Sequence, residues 1–504
     1  MKISDALHRD MEKKKIDVAL SLSLLDRINS GKVSTGETGE ARGIPGVDGD
    51  RIVDTVSAPT WTGDARALHR RLGELGLVPD RLRFEIPVSG PVTLGADQLR
   101  EIGLHLLPRV AYGVLNGGSA TSYADHTKNR DFNETLYRLY EPLLNTIGEA
   151  VRGKAKGLTP ALFSSTGVPG ASYLELKMRH LLLLLSESRD ATGSALPAGH
   201  APIFQMSSVH NNDELSRAYE AYRNSPLLKD LIAETGVDIT AVRTGVQPMI
   251  SAYTHSRHGS PRSIFDRAYG EHGRTLALPG GHGQSFSVLK SVYRSLRSDG
   301  FRFAYIGNVD NLGFTVDPVT VAFFALTGRP AAFEFAYRTP VDVKGGILIE
   351  DMNKGLTCGD IGPAVSRSYV EETEKSGTSI LFNCATGLFD LDWLDANIDR
   401  IESDLPLRLS DQDKDAGLYS QAEQVTWEVI GMIDDPIIFA VDKYRRFLAA
   451  KLLSESFMTN GVHLDEPGFP TDENPEKDLK GTAEKLNAGL SHLLTEVYGL
   501  GRRD

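Results

Sequence analysis

Short apolar runs alternate along this chain with amphipathic segments, and several of the runs stop abruptly at small or polar residues. The two clearest runs, Val110–Leu115 and Phe303–Gly307, have the length and composition of buried β-strands. The segment Asn116-Gly117-Gly118 follows the first run, and Asn308-Val309-Asp310-Asn311 follows the second. The pattern therefore predicts two strands that each end at residues suited to contacting a ligand.

Outside these two runs the pattern predicts further helices and strands. Helices are predicted over residues 1 to about 30, Ala65–Leu75, Tyr137–Val151, Leu174–Leu185 and Ser285–Leu296. Strands are predicted at Leu82–Ile86, Pro202–Met206, Ile239–Arg243, Ala331–Tyr337, Gly346–Ile349 and Ser379–Asn383.

The predicted elements divide the chain into three regions. Helices and strands alternate between residues 105 and 400, which indicates an α/β core there. Residues 1–104 are expected to be an N-terminal extension, in which the first helix is followed by a linker rich in Gly, Ser, Thr and Asp. Residues 401–504 are expected to be a mostly helical C-terminal region.

The ends of the two clearest strands are candidate ligand sites, because ligands of open α/β sheets bind beyond the carboxyl ends of parallel strands. Gly117 and Gly118 would expose backbone amides, which suit phosphate groups. Asp310 would supply a carboxylate for Mg²⁺, which often takes only one or two carboxylates together with phosphates and water. The two ends thus indicate nucleotide chemistry. The structural alternatives are an Asn-Gly turn and helix capping by Asn or Asp.

Three lysines and a second glycine-rich segment add candidate phosphate contacts. Lys156 lies in a basic stretch, Lys344 stands beside a glycine pair, and Lys451 lies on an amphipathic helical pattern. A lysine is a compact cation that can hold a triphosphate. His282 lies in Pro279–Gly283, where glycines would let the backbone approach a ligand closely. The alternatives are a solvated loop for Lys156, a flexible connector around His282 and a surface position for Lys451.

Composition narrows the partners that the chain could have. The formal net charge is −12, which argues against general binding to nucleic acid or to anionic membranes. Two cysteines, Cys358 and Cys384, imply no disulfide framework and fit a reducing compartment. The N-terminus lacks the apolar core of a signal peptide, and the leucine run at 181–185 is too short to span a bilayer. We therefore expect a cytoplasmic protein.

Taken in chain order, these segments resemble the motifs of the UDP-sugar pyrophosphorylase family, over roughly residues 105 to 455. The matching segments are 115–118, 156–160, 280–283, 308–313, 342–346 and 446–451. Three features depart from the family pattern. Ser119-Ala120-Thr121-Ser122 and an inserted helix follow the first loop, and Gln247 is out of register with the uracil-reading glutamine. The sugar-contacting Phe-Asn-Thr-Asn-Asn segment is reduced here to Phe382-Asn383-Cys384-Ala385-Thr386.

The resemblance implies a fold, an activity and a set of site residues. The fold would be α/β, a glycosyltransferase-A-like nucleotidyltransferase core with a Rossmann-type mixed sheet and helical N- and C-terminal extensions. The activity would be Mg²⁺-dependent synthesis of a UDP-sugar and pyrophosphate from UTP and a sugar 1-phosphate. The implied residues are catalytic Lys156, Asp310 and Lys451, with Asp310 on the metal; nucleotide-binding Leu115, Asn116, Gly117, Gly118, Gln247 and Gly281; and sugar-phosphate-binding His282, Asn308, Asn311, Glu334, Lys344, Gly345 and Asn383.

The identity of the sugar and the class of activity have alternatives. Residues 342–346 and 446–451 resemble glucose-type enzymes, so glucose 1-phosphate is the expected substrate. A UDP-N-acetylhexosamine or broad-range UDP-sugar pyrophosphorylase is the alternative. A metal-dependent glycosyltransferase would be expected to carry Asp-x-Asp, and here Asn308 takes the first position. A nucleotide-binding protein without catalysis is the third reading, and the oligomeric state is left open.

Overall fold

A large mixed β-sheet is the centre of the fold in the computed structural model of this chain. The structure describes residues 3–31, 41–57, 59–339, 342, 345–352, 355–362, 364–474 and 477–501. The helices are α1 Asp5–Lys13, α2 Val18–Asn29, α3 Ala65–Glu74, α4 Ala96–Leu106, α5 His126–Phe132, α6 Glu134–Val151, α7 Tyr173–Thr192, α8 Asn212–Tyr222, α9 Lys229–Thr235, α10 Ser285–Val288, α11 Lys290–Ser298, α12 Pro318–Thr327, α13 Arg367–Lys375, α14 Leu391–Asp404, α15 Lys443–Arg446, α16 Leu453–Thr459 and α17 Leu479–Glu496. The strands are β1 Ile52–Asp54, β2 Trp61–Asp64, β3 Pro91–Leu94, β4 Val110–Leu115, β5 Ile203–Ser208, β6 Arg243–Gln247, β7 Met249–Ser251, β8 Tyr253–Thr254, β9 Ala277–Pro279, β10 Phe303–Asn308, β11 Ala331–Tyr337, β12 Gly346–Glu350, β13 Leu356–Asp360, β14 Leu381–Asp390, β15 Leu407–Lys414, β16 Gly417–Gln424 and β17 Ile437–Val441.

The main sheet combines parallel pairs with antiparallel pairs around β14 and in the β12–β13 hairpin. Its order is β1-β17-β11-β14-β10-β4-β5-β6, and the β12–β13 hairpin joins it through β14. Strand β14 runs antiparallel to both of its neighbours, β11 and β10, whereas β10, β4, β5 and β6 are parallel to one another. Three small sheets, β15-β16-β8, β2-β3 and β7-β9, lie outside it. The sheet is therefore mixed, as predicted.

Alternate residues of the central strands bury their side chains on opposite faces of the sheet. Phe303 and Tyr305 of β10 join a cluster that includes α4, α7 and α12. Ala304 and Ile306 join a second cluster that includes α10, α11 and α14. Because successive side chains of a strand point to opposite faces, a strand that is apolar throughout must be covered on both. This is the reason why the apolar runs are continuous instead of alternating.

The register of β4 and β10 places the predicted ligand segments side by side. Asn308 pairs with Leu115 at the carboxyl ends of the two parallel strands. Gln247 ends β6 and pairs with Ser208 at the end of β5, which is the neighbour of β4. Four parallel strands thus end along one edge of the sheet, with the residues after 115 and 308 at its centre.

Most predicted elements are confirmed, and two short strand predictions are not. Leu82–Ile86 forms no strand. Its alternation instead reflects Leu82 and Phe84 packing on the core while Arg83 and Glu85 face solvent, with no neighbouring strand to supply hydrogen bonds. The strand predicted at Ile239–Arg243 begins only at Arg243, because residues 239–240 form a turn and 241–242 connect it to the strand.

The terminal regions also differ from the prediction. The first 30 residues form two helices instead of one, since the chain turns at Lys15, whose φ is +55°. Within the predicted linker, residues 32–40 lie outside the described part, but β1 is an edge strand of the main sheet and pairs with β17. The predicted mostly helical region contains β15, β16 and β17. Among the residues described, none of the helices has the length and apolar character that crossing a membrane demands.

A close approach of α4 to α12 gives a test of this packing. A Cβ on Gly103 would overlap the backbone of Pro318 at the start of α12. We expect Gly103→Ala to lower the free energy of unfolding by about 1–3 kcal/mol, as overpacked cores do. Gly73→Ala is the matched control, because Gly73 is an exposed helical glycine with no atom near its Cβ position. It should raise stability by about 0.5–1 kcal/mol. Urea unfolding measures both, and a stable Gly103→Ala variant would contradict the contact.

Candidate active site

The first glycine loop is hydrogen-bonded to the segment that carries Lys156. The backbone N–H of Ala120 donates to the carbonyl of Lys154 at 2.8 Å, and the N–H of Lys156 donates to the carbonyl of Gly118 at 3.0 Å. The N–H of Gly157 donates to Asn116 Oδ1 at 3.0 Å. The two motifs are therefore adjacent in space, although α5 and α6 separate them in sequence.

Lys156 places its ammonium group in a buried position. The side chain is 7% exposed, and its Nζ has no hydrogen-bond partner in the part of the chain that the structure describes. It lies 3.0 Å from the centroid of the Tyr123 ring. Burial lowers the pKa of Lys156 to about 7, although the charge of Asp310 opposes the shift. Near neutral pH the group is thus poised between its charged and neutral forms.

Asp310 interacts electrostatically with Lys156 and with a second lysine, Lys451. Its carboxylate is buried, and Lys451 Nζ lies 3.3 Å from its Oδ2. Burial alone would raise the pKa of Asp310, but the charges of Lys451 and Lys156 hold it below its usual value. Asp310 in turn raises the pKa of Lys451. The Lys451 side chain is 69% exposed, so this cation is accessible to a ligand.

Glu455 is a further carboxylate next to Lys451. Its Oε2 accepts hydrogen bonds from the backbone N–H groups of Lys451 at 2.7 Å and Leu452 at 2.8 Å, at the beginning of α16. Burial raises the pKa of Glu455, and the charges of Lys156 and Lys451 oppose this shift. Glu455 therefore fixes the backbone from which Lys451 projects.

The predicted nucleotide-binding residues form one group. The Nε2 of Gln247, which is buried, donates to the carbonyl of Gly281 at 2.8 Å and to Gln284 Oε1 at 2.9 Å. Its Oε1 lies only 3.0 Å from the position that a Cβ on Gly117 would take, so a side chain there would crowd the amide. The Nδ2 of Asn116 is buried and without a partner among the described groups. Amide groups and bare backbone thus meet at the end of β4.

His282 is held as a neutral hydrogen-bonding group. The backbone N–H of Thr426 donates to its Nδ1 at 3.1 Å, and Thr426 Oγ1 donates to its carbonyl at 2.7 Å. Because Nδ1 accepts this bond, the proton of the neutral ring is on Nε2. Burial, with a contribution from the charge of Lys451, lowers the pKa of His282 to about 4. At neutral pH the ring therefore presents an Nε2–H donor close to Lys451.

Buried side chains bind the backbone of the loop that carries Asp310. The donors and the carbonyls that accept from them are Lys177 to Asn311 and Phe314, Tyr498 to Leu312, Tyr112 to Phe314, Arg446 to Thr315 and His180 to Val316. Burial holds the pKa of Lys177 well below its usual value. These donors come from β4, α7 and the C-terminal region, so the loop is fixed from several sides.

Two of the predicted sugar-phosphate residues use their side chains within the protein. Glu334 is buried and bonded to the Tyr305 hydroxyl and to Arg446, whose Nε lies 3.0 Å from Glu334 Oε2. Asn311 Oδ1 accepts from the N–H groups of Gly313 at 2.9 Å and Leu448 at 3.0 Å. Its Nδ2 donates to the carbonyl of Arg446 at 3.0 Å. These bonds join the segment leading to Lys451 to the Asp310 loop.

The other predicted residues are placed as follows. Leu115 and Asn308 end β4 and β10, and Gly118 is exposed with no atom near its Cβ position. Gly345 packs against the Phe382 ring, and Asn383 Oδ1 accepts the N–H of Ala385 at 2.9 Å. Lys344 lies outside the described residues.

Tyr123, Lys177 and Glu455 were not predicted as site residues. The signal for Lys177 was available, since it is a charged residue inside the apolar helical run Leu174–Leu185. Tyr123 lies in the segment where the chain departs from the family pattern, and no periodicity singles it out. Among the described residues, no group of three or more His, Cys, Asp or Glu side chains is arranged to hold a metal ion.

Comparisons of sequence and structure show which known proteins this chain is similar to. Residues 256–475 match the family model described as UTP–glucose-1-phosphate uridylyltransferase. The predicted resemblance to the UDP-sugar pyrophosphorylase family is thereby confirmed. A UTP–glucose-1-phosphate uridylyltransferase from Encephalitozoon cuniculi is 36% identical over 81 residues, which are 16% of this chain and 16% of that protein.

Solved UDP-sugar pyrophosphorylase structures share the fold. A UDP-glucose pyrophosphorylase variant from Leishmania major, in complex with UDP-glucose, superimposes with a TM-score of 0.55 and 14% identity, covering 95% of this chain and 82% of that chain. A protein from Entamoeba histolytica, described as a candidate UDP-N-acetylglucosamine pyrophosphorylase, gives 0.50 and 15%, covering 80% of this chain and 93% of that chain. The predicted nucleotidyltransferase fold is confirmed.

Replacing Arg446 by Met would leave the Glu334 carboxylate buried without its charge partner. We expect Arg446→Met to lower the free energy of unfolding by about 3–5 kcal/mol, as removal of one partner of a buried pair does. Arg445→Met is the matched control, because that side chain is 60% exposed, and it should cost less than about 0.5 kcal/mol. Urea unfolding measures both. Adding Glu334→Gln to Arg446→Met should recover part of the loss, and an unchanged loss would contradict the explanation.

Proposed function

We propose that this chain is a uridylyltransferase that makes a UDP-sugar and pyrophosphate from UTP and a sugar 1-phosphate, with glucose 1-phosphate preferred. The observation that carries the proposal is the Asp310 carboxylate, which lies 3.3 Å from Lys451 Nζ and within the electrostatic influence of Lys156, at the strand ends that also bear Gly117. The family match over residues 256–475 supports the same activity. Ionic groups of both signs next to a bare glycine loop suit a reaction between two polyanions.

The reaction needs positioning and charge compensation more than covalent chemistry. An oxygen of the sugar phosphate attacks the α-phosphorus of UTP in line, and pyrophosphate leaves. No general base is required, because the attacking phosphate is already ionised. Lys156 would compensate charge on the departing pyrophosphate, and Lys451, with the Nε2–H of His282, would hold the sugar phosphate. Gln247 and Asn116 would face the base.

The site fits a Mg²⁺ ion that takes one ligand from the protein. Asp310 offers one buried, ionised carboxylate, and the described residues supply no further carboxylates in a metal cluster with it. Mg²⁺ commonly binds through one or two carboxylates and completes its shell with phosphates and water. Asp310 would therefore be the protein ligand in a complex that substrate phosphates complete. When bound, the ion would compensate phosphate charge.

A cytoplasmic location is part of the proposal. It is supported by Cys358 and Cys384, which are both buried free thiols. UTP and a sugar 1-phosphate are the expected partners.

The sugar is the part of the proposal with a specific alternative. The partial match of Phe382–Thr386 to the sugar-contacting segment, and the fold similarity to the Entamoeba histolytica protein, leave a UDP-N-acetylhexosamine as the second candidate product. The test is pyrophosphate release with Mg²⁺ and UTP, with glucose, galactose and N-acetylglucosamine 1-phosphates competing at equal concentration. UDP-glucose should dominate. A dominant UDP-N-acetylhexosamine would overturn the glucose assignment, and no release with any sugar or nucleotide would overturn the function.

Removing the charge of Asp310 should separate catalysis from folding. We expect Asp310→Asn to lose most Mg²⁺-dependent turnover, because the carboxylate that would bind the ion and pair with Lys451 is gone. The amide has nearly the same shape, so the thermal unfolding curve should stay close to that of the wild type. Turnover is measured as pyrophosphate release over a Mg²⁺ titration. Normal activity at saturating Mg²⁺ would refute the metal assignment.

The lowered pKa of Lys156 predicts a proton linkage. In the protein without UTP, Lys156 has a pKa of about 7. A bound polyphosphate favours the charged form of Lys156, so UTP binding at pH 8 should take up a proton. UTP affinity should be constant well below pH 7 and fall above it, by at most about tenfold per pH unit. Calorimetry in two buffers with different ionisation enthalpies measures the uptake. Lys156→Met should abolish it, and equal uptake in both proteins would contradict the assignment.

A further inference from the structure

Two tyrosine rings surround the ammonium of Lys156. Its Nζ lies 3.0 Å from the centroid of the Tyr123 ring and 5.5 Å from that of Tyr173. Both rings are fully buried, and the ammonium has no hydrogen-bond acceptor among the residues described. A cation over an aromatic face is attracted by the ring quadrupole, and the attraction is stronger where water is excluded. The Tyr123 ring is therefore the group that holds this cation.

Tyr123 also contacts the helix that follows Lys451. Its hydroxyl donates to Ser456 Oγ at 2.7 Å, and its carbonyl accepts from the N–H of Leu453 at 3.0 Å. Both partners lie on α16, which begins directly after Lys451. The Tyr173 hydroxyl lies 3.1 Å from the same Ser456 oxygen. One residue thus connects the environments of the two lysines.

The segment that carries Tyr123 has a second attachment to α16. Asn129 Oδ1 accepts from the N–H of Ser454 at 3.0 Å and from its hydroxyl at 2.8 Å. Asn129 Nδ2 donates to the carbonyl of Tyr123 at 3.0 Å. The segment that carries Tyr123 and Asn129 follows Gly118, where the sequence departs from the family pattern. Its hydrogen bonds to α16 position it next to the candidate active site.

We propose that Tyr123 is a positioning residue that acts through Lys156. Its ring attracts the ammonium, which forms no hydrogen bond to an oxygen or nitrogen acceptor of the described residues. A lysine held by a hydrogen-bond acceptor would have to break that bond before it could bind a phosphate oxygen. Lys156 can instead donate to a departing pyrophosphate at once, which is preorganisation of the kind that lowers barriers. The proposal rests on the function proposed above.

A double-mutant cycle separates this role from simple core packing. Tyr123→Leu should lower kcat by about tenfold or more, and Tyr123→Phe, which keeps the ring, should recover most of the loss. The KM for the sugar phosphate should change less than about threefold, because Lys156 is assigned to the other phosphate. In a Lys156→Met background, Tyr123→Leu should cost less than about twofold. Losses that add in the double variant would overturn the proposal.

Tyr137 provides a matched control within the same inserted region. It is buried and has the Arg130 guanidinium 5.0 Å from its ring centroid, so Tyr137→Leu also removes a ring that faces a cation. We expect it to lower stability without lowering kcat. An equal loss of kcat in Tyr137→Leu and Tyr123→Leu would show that general packing is responsible, which would overturn the proposal.

Fluorination of the ring tests the proposal even if Tyr123→Leu does not fold. Phenylalanines with one, two and three fluorines at position 123 keep the shape and weaken the quadrupole stepwise. Both kcat and the affinity for inorganic pyrophosphate should fall along the series, and a flat series overturns the proposal. Pyrophosphate affinity is measured by calorimetry and needs no turnover. A wild type that binds pyrophosphate through Lys156, but releases none from UTP with any sugar phosphate, refutes the proposed function alone.

Discussion

The buried carbonyls of residues 311–316 are the constraint on which the site depends. A buried carbonyl without a donor is costly, and a loop with several of them cannot form unless the donors are present. Here the donors are side chains of β4, α7 and the C-terminal region, including the buried Nζ of Lys177. The position of Asp310 therefore depends on several elements of the core, and a change in any of them would shift the carboxylate.

The charged side chains of the site, like the buried carbonyls of the loop, have partners of the opposite kind. Two ammonium groups, Lys156 and Lys451, lie near two carboxylates, Asp310 and Glu455, in a protein whose net charge is −12. The two lysines differ in their surroundings, because Lys156 is buried against aromatic rings and Lys451 is largely exposed. Because Lys156 is buried, its pKa depends strongly on the charge of a bound ligand. Exposure makes Lys451 accessible to a ligand.

The sequence predicted the strands and motifs of the site better than its internal bonding. Val110–Leu115 and Phe303–Gly307 were predictable because strands buried on both faces are apolar throughout. Segments that depend on distant partners were not. Ile52–Asp54 is too short to be recognised without β17, and the bonds of Glu334 to Arg446 and of Asn311 to Leu448 join residues far apart in sequence. Such pairings depend on topology, which no local pattern encodes.

The order of strands in the main sheet has a consequence for synthesis. Strand β17 lies between β1, near the start of the chain, and β11 in its middle, so β1 has no partner in this sheet until residues 437–441 have been made. The ion pair of Asp310 with Lys451 forms later still. Contacts between such distant segments form slowly, because long loops must close first. In a nascent chain, the edge of the sheet at β1 and the Asp310–Lys451 pair would therefore be incomplete until β17 and Lys451 have left the ribosome.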